Sequence, residues 1–239
     1  MDEVYFNGKL VGKTGIFPPD YESAYSAQRK YFIPRNLINY DGDNIIAVRI
    51  YDERESGGIE DGILGFYIYD ALKEDIDLSG TWKFQTGDSM HWKDEYYDDS
   101  KWNAINVPSY WEIRGYEDYD GLAWYRKKFD LPTDLKNKKL VLLMGKIDDI
   151  DEVYVNGELV GHSGNFNSNF EDKEVLRFWN EYRGYYLPDN FQLKDTANVI
   201  SVRVYDAGGG GGIYEGPLGI ITQDNYLRYW RNIHKTRKH

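Results

Sequence analysis

The sequence contains no cysteine, so disulfides, thiolate metal sites and cysteine nucleophiles are all excluded. This leaves the compartment open, because secreted bacterial proteins often lack cysteine too. Long apolar runs are also missing, and nothing approaches the roughly 18 residues that a membrane span needs. Residues 1–20 lack a basic-then-apolar build, so no signal peptide is visible in the chain. Histidine is scarce: His91, His162, His234 and His239 show no metal-ligand spacing. Positive charge is in deficit, with 29 Lys and Arg against 40 Asp and Glu and a net charge of -11. That balance argues against a nucleic-acid partner, whose phosphates need clustered cations. The one basic cluster (Arg228, Arg231, Lys235, Arg237 and Lys238) closes the chain, and residues 225–239 read as a solvated basic tail.

What the chain has in excess is aromatic side chains, 22 Tyr and 7 Trp. Each joins a flat apolar face to a polar edge, which suits both a sandwich core and sugar recognition. They sit in short β-branched and aromatic runs separated by turn residues, at 82–84, 123–131, 139–145, 152–161, 198–206 and 212–221. In the run 198–206, Ile200, Val202 and Val204 alternate with Val199, Ser201, Arg203 and Tyr205, the period of a strand. Asn7-Gly8 and Asn156-Gly157 are two-residue hairpin turns in which both residues take positive φ. About eight strands in roughly 150 residues predict an all-β, antiparallel jelly-roll β-sandwich. Helix is scarce; the best candidates, 21–30 and 171–182, read as loops with at most a turn or two.

Part of this pattern occurs twice. DEVYFNGKLVG (2–12) and DEVYVNGELVG (151–161) agree at nine of eleven positions. NIIAVRIYD (44–52) matches NVISVRVYD (198–206) at six of nine, as does GGIEDGILG (57–65) with GGIYEGPLG (211–219). Constant order and spacing mark a duplicated unit of about seventy residues. Residues 76–148 have no second copy. The expected organisation is one complete domain at 76–224 and, at 1–72, the C-terminal half of a preceding copy, which would place Met1 inside a domain. The head-half 76–148 is expected to pair with 150–224, because the connection through Lys146 to Asp149 is short and its loop closure cheap.

LSGTWKF (78–84), VPSYWE (107–112), GLAWYRKKFDLP (121–132), DEVYVNGELVGHSG (151–164) and NVISVRVYD followed by GGGGGIYEGPLGI together resemble a known domain. This is the sugar-binding, galactose-binding-like jelly roll that accompanies family 2 glycoside hydrolases and sialate O-acetylesterases. The resemblance implies a non-catalytic carbohydrate-binding or accessory module, weak for sugar and without a cofactor. It would be a fragment of a larger extracellular or periplasmic protein whose catalytic domain is a possible partner. The alternative is a structural, protein-interaction or sensory module without sugar affinity, since one fold carries many functions.

In the resembling glycosidases the loop matching Gly208–Gly212 leans toward a neighbouring active site. This makes Asp206, Tyr214 and Glu215 the leading carbohydrate-binding candidates. Trp111, Trp124 and Arg126 are further candidates, each weighed against core packing and, for Arg126, a structural carboxylate pair. Asp148, Asp149 and Asp151 offer oxygen ligands for calcium but lack the alternating loop pattern, so a solvated turn is favoured. Gly161-His162-Ser163-Gly164 does not satisfy a nucleophile elbow. No carboxylate pair stands out for glycoside hydrolysis, and no catalytic constellation is found.

Overall fold

The computed structural model describes residues 1–24, 26–53, 57–66, 72–166, 177–188 and 191–236. The chain divides into two compact units, 1–69 and 70–239.

In the first unit, β1 (Asp2–Phe6) lies between β2 (Lys9–Thr14) and β3 (Ile46–Ile50), all antiparallel. The β1–β2 hairpin turns on Asn7 and Gly8 at φ of 48° and 76°, as the Asn-Gly pair predicts.

The second unit is a β-sandwich of two antiparallel sheets. A six-stranded sheet runs β10-β9-β12-β7-β5-β6, and a four-stranded sheet runs β11-β8-β13-β4. The strands are β4 (Ile76–Asp77), β5 (Gly80–Thr86), β6 (Asn103–Val107), β7 (Gly121–Phe129), β8 (Leu140–Ile147), β9 (Ile150–Val155), β10 (Glu158–Ser163), β11 (Tyr182–Tyr186), β12 (Asn198–Asp206) and β13 (Ile213–Thr222). Strand alternation decides what is buried. Ile200, Val202 and Val204 of β12 meet Trp82, Phe84 and Tyr125 of the same sheet and Leu142, Met144, Leu218 and Ile220 of the other in one core. The head-half closes on 150–222: β7 pairs with β12 from Gly121↔Asp206 to Phe129↔Asn198, and β8 pairs with β13.

Two features depart from the sequence reading, the C-terminal helix and the buried acidic cluster. Residues 223–236 form a helix, α1 (Gln223–Thr236), where a basic tail was expected. Tyr226 packs with Val141, Leu143 and Ile221 on the outer face of the four-stranded sheet, and that burial makes the segment helical. Arg237 and Lys238 lie outside the described residues. Residues 21–24 and 26–30 hold no helix, while the other candidate stretch is described only from 177 and enters β11 at Tyr182. The acidic cluster is buried instead of solvated: Asp148, Asp149 and Asp151 are 8, 2 and 0 % exposed. Finally, the six-stranded sheet is covered on its outer face too, where Trp92, Tyr97, Trp102, Trp124 and Tyr154 form a second small core.

The matched segments of the two units make the same bonds. Tyr5 Oη donates to Glu3 Oε2 at 2.9 Å and Arg49 Nη1 to the same oxygen at 3.1 Å; Tyr154 and Arg203 do this to Glu152 at 2.8 and 3.1 Å. Asp2 receives Arg29 Nε at 2.7 Å and Tyr31 Oη at 2.6 Å, as Asp151 receives Arg183 Nε at 2.8 Å and Tyr185 Oη at 2.5 Å. An Arg-x-Tyr element at 29–31 and 183–185 therefore belongs to the matched set. It went unseen because the residues around it differ.

Candidate functional site

β12 places every second side chain in the core, and the fourth in the series after Ile200, Val202 and Val204 is Asp206. The strand thus delivers a carboxylate to the end of the sandwich, fully buried, where Ala207–Gly212 loops across to β13. Asp206 Oδ1 accepts Gly208 N at 2.9 Å, a local turn that opens the loop. Asp149 Oδ2 accepts Ala207 N at 2.7 Å and Glu112 Oε1 accepts Gly211 N at 2.9 Å. The backbone of 109–111 completes the frame, with Trp111 N bonded to Gly211 O and Ser109 N to Ile213 O. Gly211 is required because a Cβ there would drive into the Trp111 ring and lie 2.6 Å from Asp206 Oδ2.

Four carboxyls therefore gather behind one glycine loop with little compensation. Burial pushes Asp148 up to about 8, and the charges of Asp149 and Asp206 act in the same direction. Burial likewise raises Glu112 to about 7 and Asp206 to about 6, and raises Asp149. Asp206 Oδ2 and Glu112 Oε2 are buried and accept no hydrogen bond from a backbone or side-chain N–H or hydroxyl among the described residues. At the rim Tyr110 and Tyr214 stack with centroids 4.7 Å apart and planes 5° from parallel. Tyr214 Oη donates to Trp179 O at 2.6 Å, and Glu215 is held by Lys146 at 3.2 Å and by the Tyr182 hydroxyl. Chemically the arrangement offers buried oxygen acceptors and protons held near neutral pH. Among the described residues no group of three or more His, Asp or Glu side chains is placed to hold a metal ion.

The fold brings Asp206, Tyr214, Glu215 and Trp111 to this one place. Trp111 contributes from below, fully buried, with Nε1 donating to Tyr119 O at 2.9 Å. Trp124 and Arg126 lie elsewhere, in the covered outer face of the six-stranded sheet. Trp124 stacks on Tyr154 and donates Nε1 to Asp88 Oδ1 at 2.8 Å. Arg126 bonds Asp99 at 2.9 Å and Ser201 Oγ at 2.9 Å. With 0 and 1 % exposure they have no surface to offer a ligand. Sequence reasoning missed Tyr110 and Glu112. Both flank Trp111 in VPSYWE, but only the fold shows that this segment backs the glycine loop.

An all-β sandwich with a carboxyl-backed glycine loop is the class of protein these observations define. No family model matches the chain. It is similar to a β-glucuronidase of Formosa agariphila, 28% identical over an alignment of 136 residues that covers 47% of this chain and 14% of that enzyme. It is also similar to a β-galactosidase of Psychromonas ingrahamii, 28% identical over an alignment of 110 residues that covers 36% of this chain and 11% of that enzyme. Among solved structures, a Bacteroides uniformis β-glucuronidase superposes at a TM-score of 0.48 with 27% identity, covering 58% of this chain and 16% of the other. The chain thus spans only a small part of the curated relatives it matches.

Proposed function

We propose that the 76–224 sandwich is a non-catalytic carbohydrate-binding or accessory module of a larger glycoside hydrolase or esterase-like protein, working outside the cytoplasm beside a catalytic domain. Support comes from the relatives, since the matched segments are small parts of β-glucuronidases and β-galactosidases. The single observation that carries a binding role is the exposed stretch of the glycine loop at 207–209, bordered by the partly exposed Tyr214 and Glu215. Four neighbouring carboxyls favour neutral, hydroxyl-rich sugars over acidic ones.

The test is a glycan array followed by calorimetry on the full chain, repeated with Glu215→Gln and Tyr214→Ala. Weak binding that either change reduces supports the proposal; no binding of any glycan at millimolar concentration rejects it. One observation favours the second reading, a protein-interaction module without sugar affinity. Tyr110 and Tyr214 cover each other's faces, and the Tyr214 hydroxyl is already bonded.

A further inference from the structure

Four features of the second unit have no counterpart among the described residues of the first. β12 is flanked by β9 and β7, whereas β3, its match in sequence, pairs only with β1 and leaves its other edge open. Ile200, Val202 and Val204 are fully buried, whereas Ile46, Val48 and Ile50 are 48, 42 and 39 % exposed. Residues 213–222 form β13 on β8, whereas residues 59–66 form no strand, and Ile59, Ile63, Leu64 and Phe66 are exposed. Arg183 and Tyr185 lie in β11, also paired with β8, whereas Arg29 and Tyr31 keep their bonds to the matching Asp2 outside any strand.

Each missing neighbour is supplied in the second unit by the head-half, β7 at the edge and β8 for the rest. The apolar content of this face is that of an interior: the exposed Ile46, Val48 and Ile50 share it by register with the half-buried Val4 and with Phe6, which is buried and meets the ring of Phe66. An open strand edge beside an uncovered apolar face calls for a partner that brings both a strand and a facing sheet.

We propose that the β1–β3 sheet is a docking surface for a separate head-half of the chemistry of residues 76–148. That partner would add a β7-like strand antiparallel to the open edge of β3. It would lay a β8-like strand across Val48 and Ile50, and on that strand residues 29–31 and 59–66 would order. The occupant is not the chain's own 76–148, which is engaged by β12 and β13, and it is not a second copy of the chain.

The test extends the full chain by a copy of residues 76–150 joined ahead of Asp2, repeating the connection that leads β8 into β9. Hydrogen exchange at residues 46–50 should slow by roughly 100-fold or more toward that of 200–204, because their opening becomes tied to that of a whole sandwich. Unchanged exchange at 46–50 and 59–66 overturns the proposal. A second measurement uses the unextended chain with Val48→Lys and Ile50→Lys. Both side chains face water there, so the melting temperature should hold while binding of an apolar dye falls. Unfolding of the first unit by this pair, or a dimer of the unextended chain that this pair dissociates, overturns it as well.

Discussion

Gly211→Ala tests whether the glycine loop is held by its contacts or is merely a wide turn. The added Cβ would overlap the Trp111 ring and approach Asp206 Oδ2 to 2.6 Å. Trp111 cannot retreat, because it is fully buried with Phe84 at 5.9 Å and Tyr119 at 5.6 Å, ring centre to ring centre. The loop must move instead. Overpacking of this kind costs about 1–3 kcal/mol, and losing the Gly211 N bond to the Glu112 carboxylate adds about 1.5–3 kcal/mol. A loss of about 3 kcal/mol lowers the melting temperature of a unit this size by roughly 6–12 °C. Gly209→Ala is the control, since a Cβ there meets nothing and only its φ of 101° opposes the change. Thermal melts followed by near-ultraviolet circular dichroism, which reports the packing of the buried aromatics, measure both. If Gly211→Ala melts within about a degree of the parent, or no lower than Gly209→Ala, the contacts argued for the loop are wrong.

Other outcomes follow from the same geometry. Arg183→Met strands the fully buried Asp151 and should cost about 3–5 kcal/mol in chemical denaturation, whereas Arg183→Met with Asp151→Leu should recover most of the loss. Asp148, Glu112 and Asp206 titrate higher in the folded chain than their ordinary values, so the native state holds the extra protons. Stability should therefore fall as pH rises from about 4 toward 8. A tenfold gain in proton affinity on folding is worth ~1.4 kcal/mol, and Asp148→Asn should flatten the slope; a denaturation midpoint constant across that range would contradict the assignment. Deleting residues 1–69 should leave a cooperative two-state melt, because 70–239 contains both sheets of its sandwich.

The parts of the fold legible in the sequence are those fixed by local chemistry. Asn7-Gly8 and Asn156-Gly157 define hairpins through their own backbone preferences, and the two-residue period of β12 states which side chains enter the core. The same period separates Tyr125 from Trp124 and Arg126. What depends on distant partners was not legible. α1 reads as a charged tail until Tyr226 is seen against Val141 and Leu143 from a strand more than eighty residues earlier. The run around Asp148 reads as solvated because acidic residues usually are, and its burial follows from the glycine loop closing over it. Part of the candidate site was readable: Asp206, Tyr214 and Glu215 border the glycine run, and Trp111 stands out in VPSYWE. Tyr110 and Glu112 join only through backbone pairing of 109–111 with 211–213.

The central claim is that a sugar binds at the glycine loop. The most direct measurement is an amide chemical-shift titration of the full chain with whichever neutral glycan scores highest on the array. The account predicts that the amides of Ala207–Gly212 and Tyr214 move together and saturate in the millimolar range typical of a weak site, while those of β5 and β9 stay in place. Shifts confined to another surface, or none at the loop at saturating sugar, would contradict it.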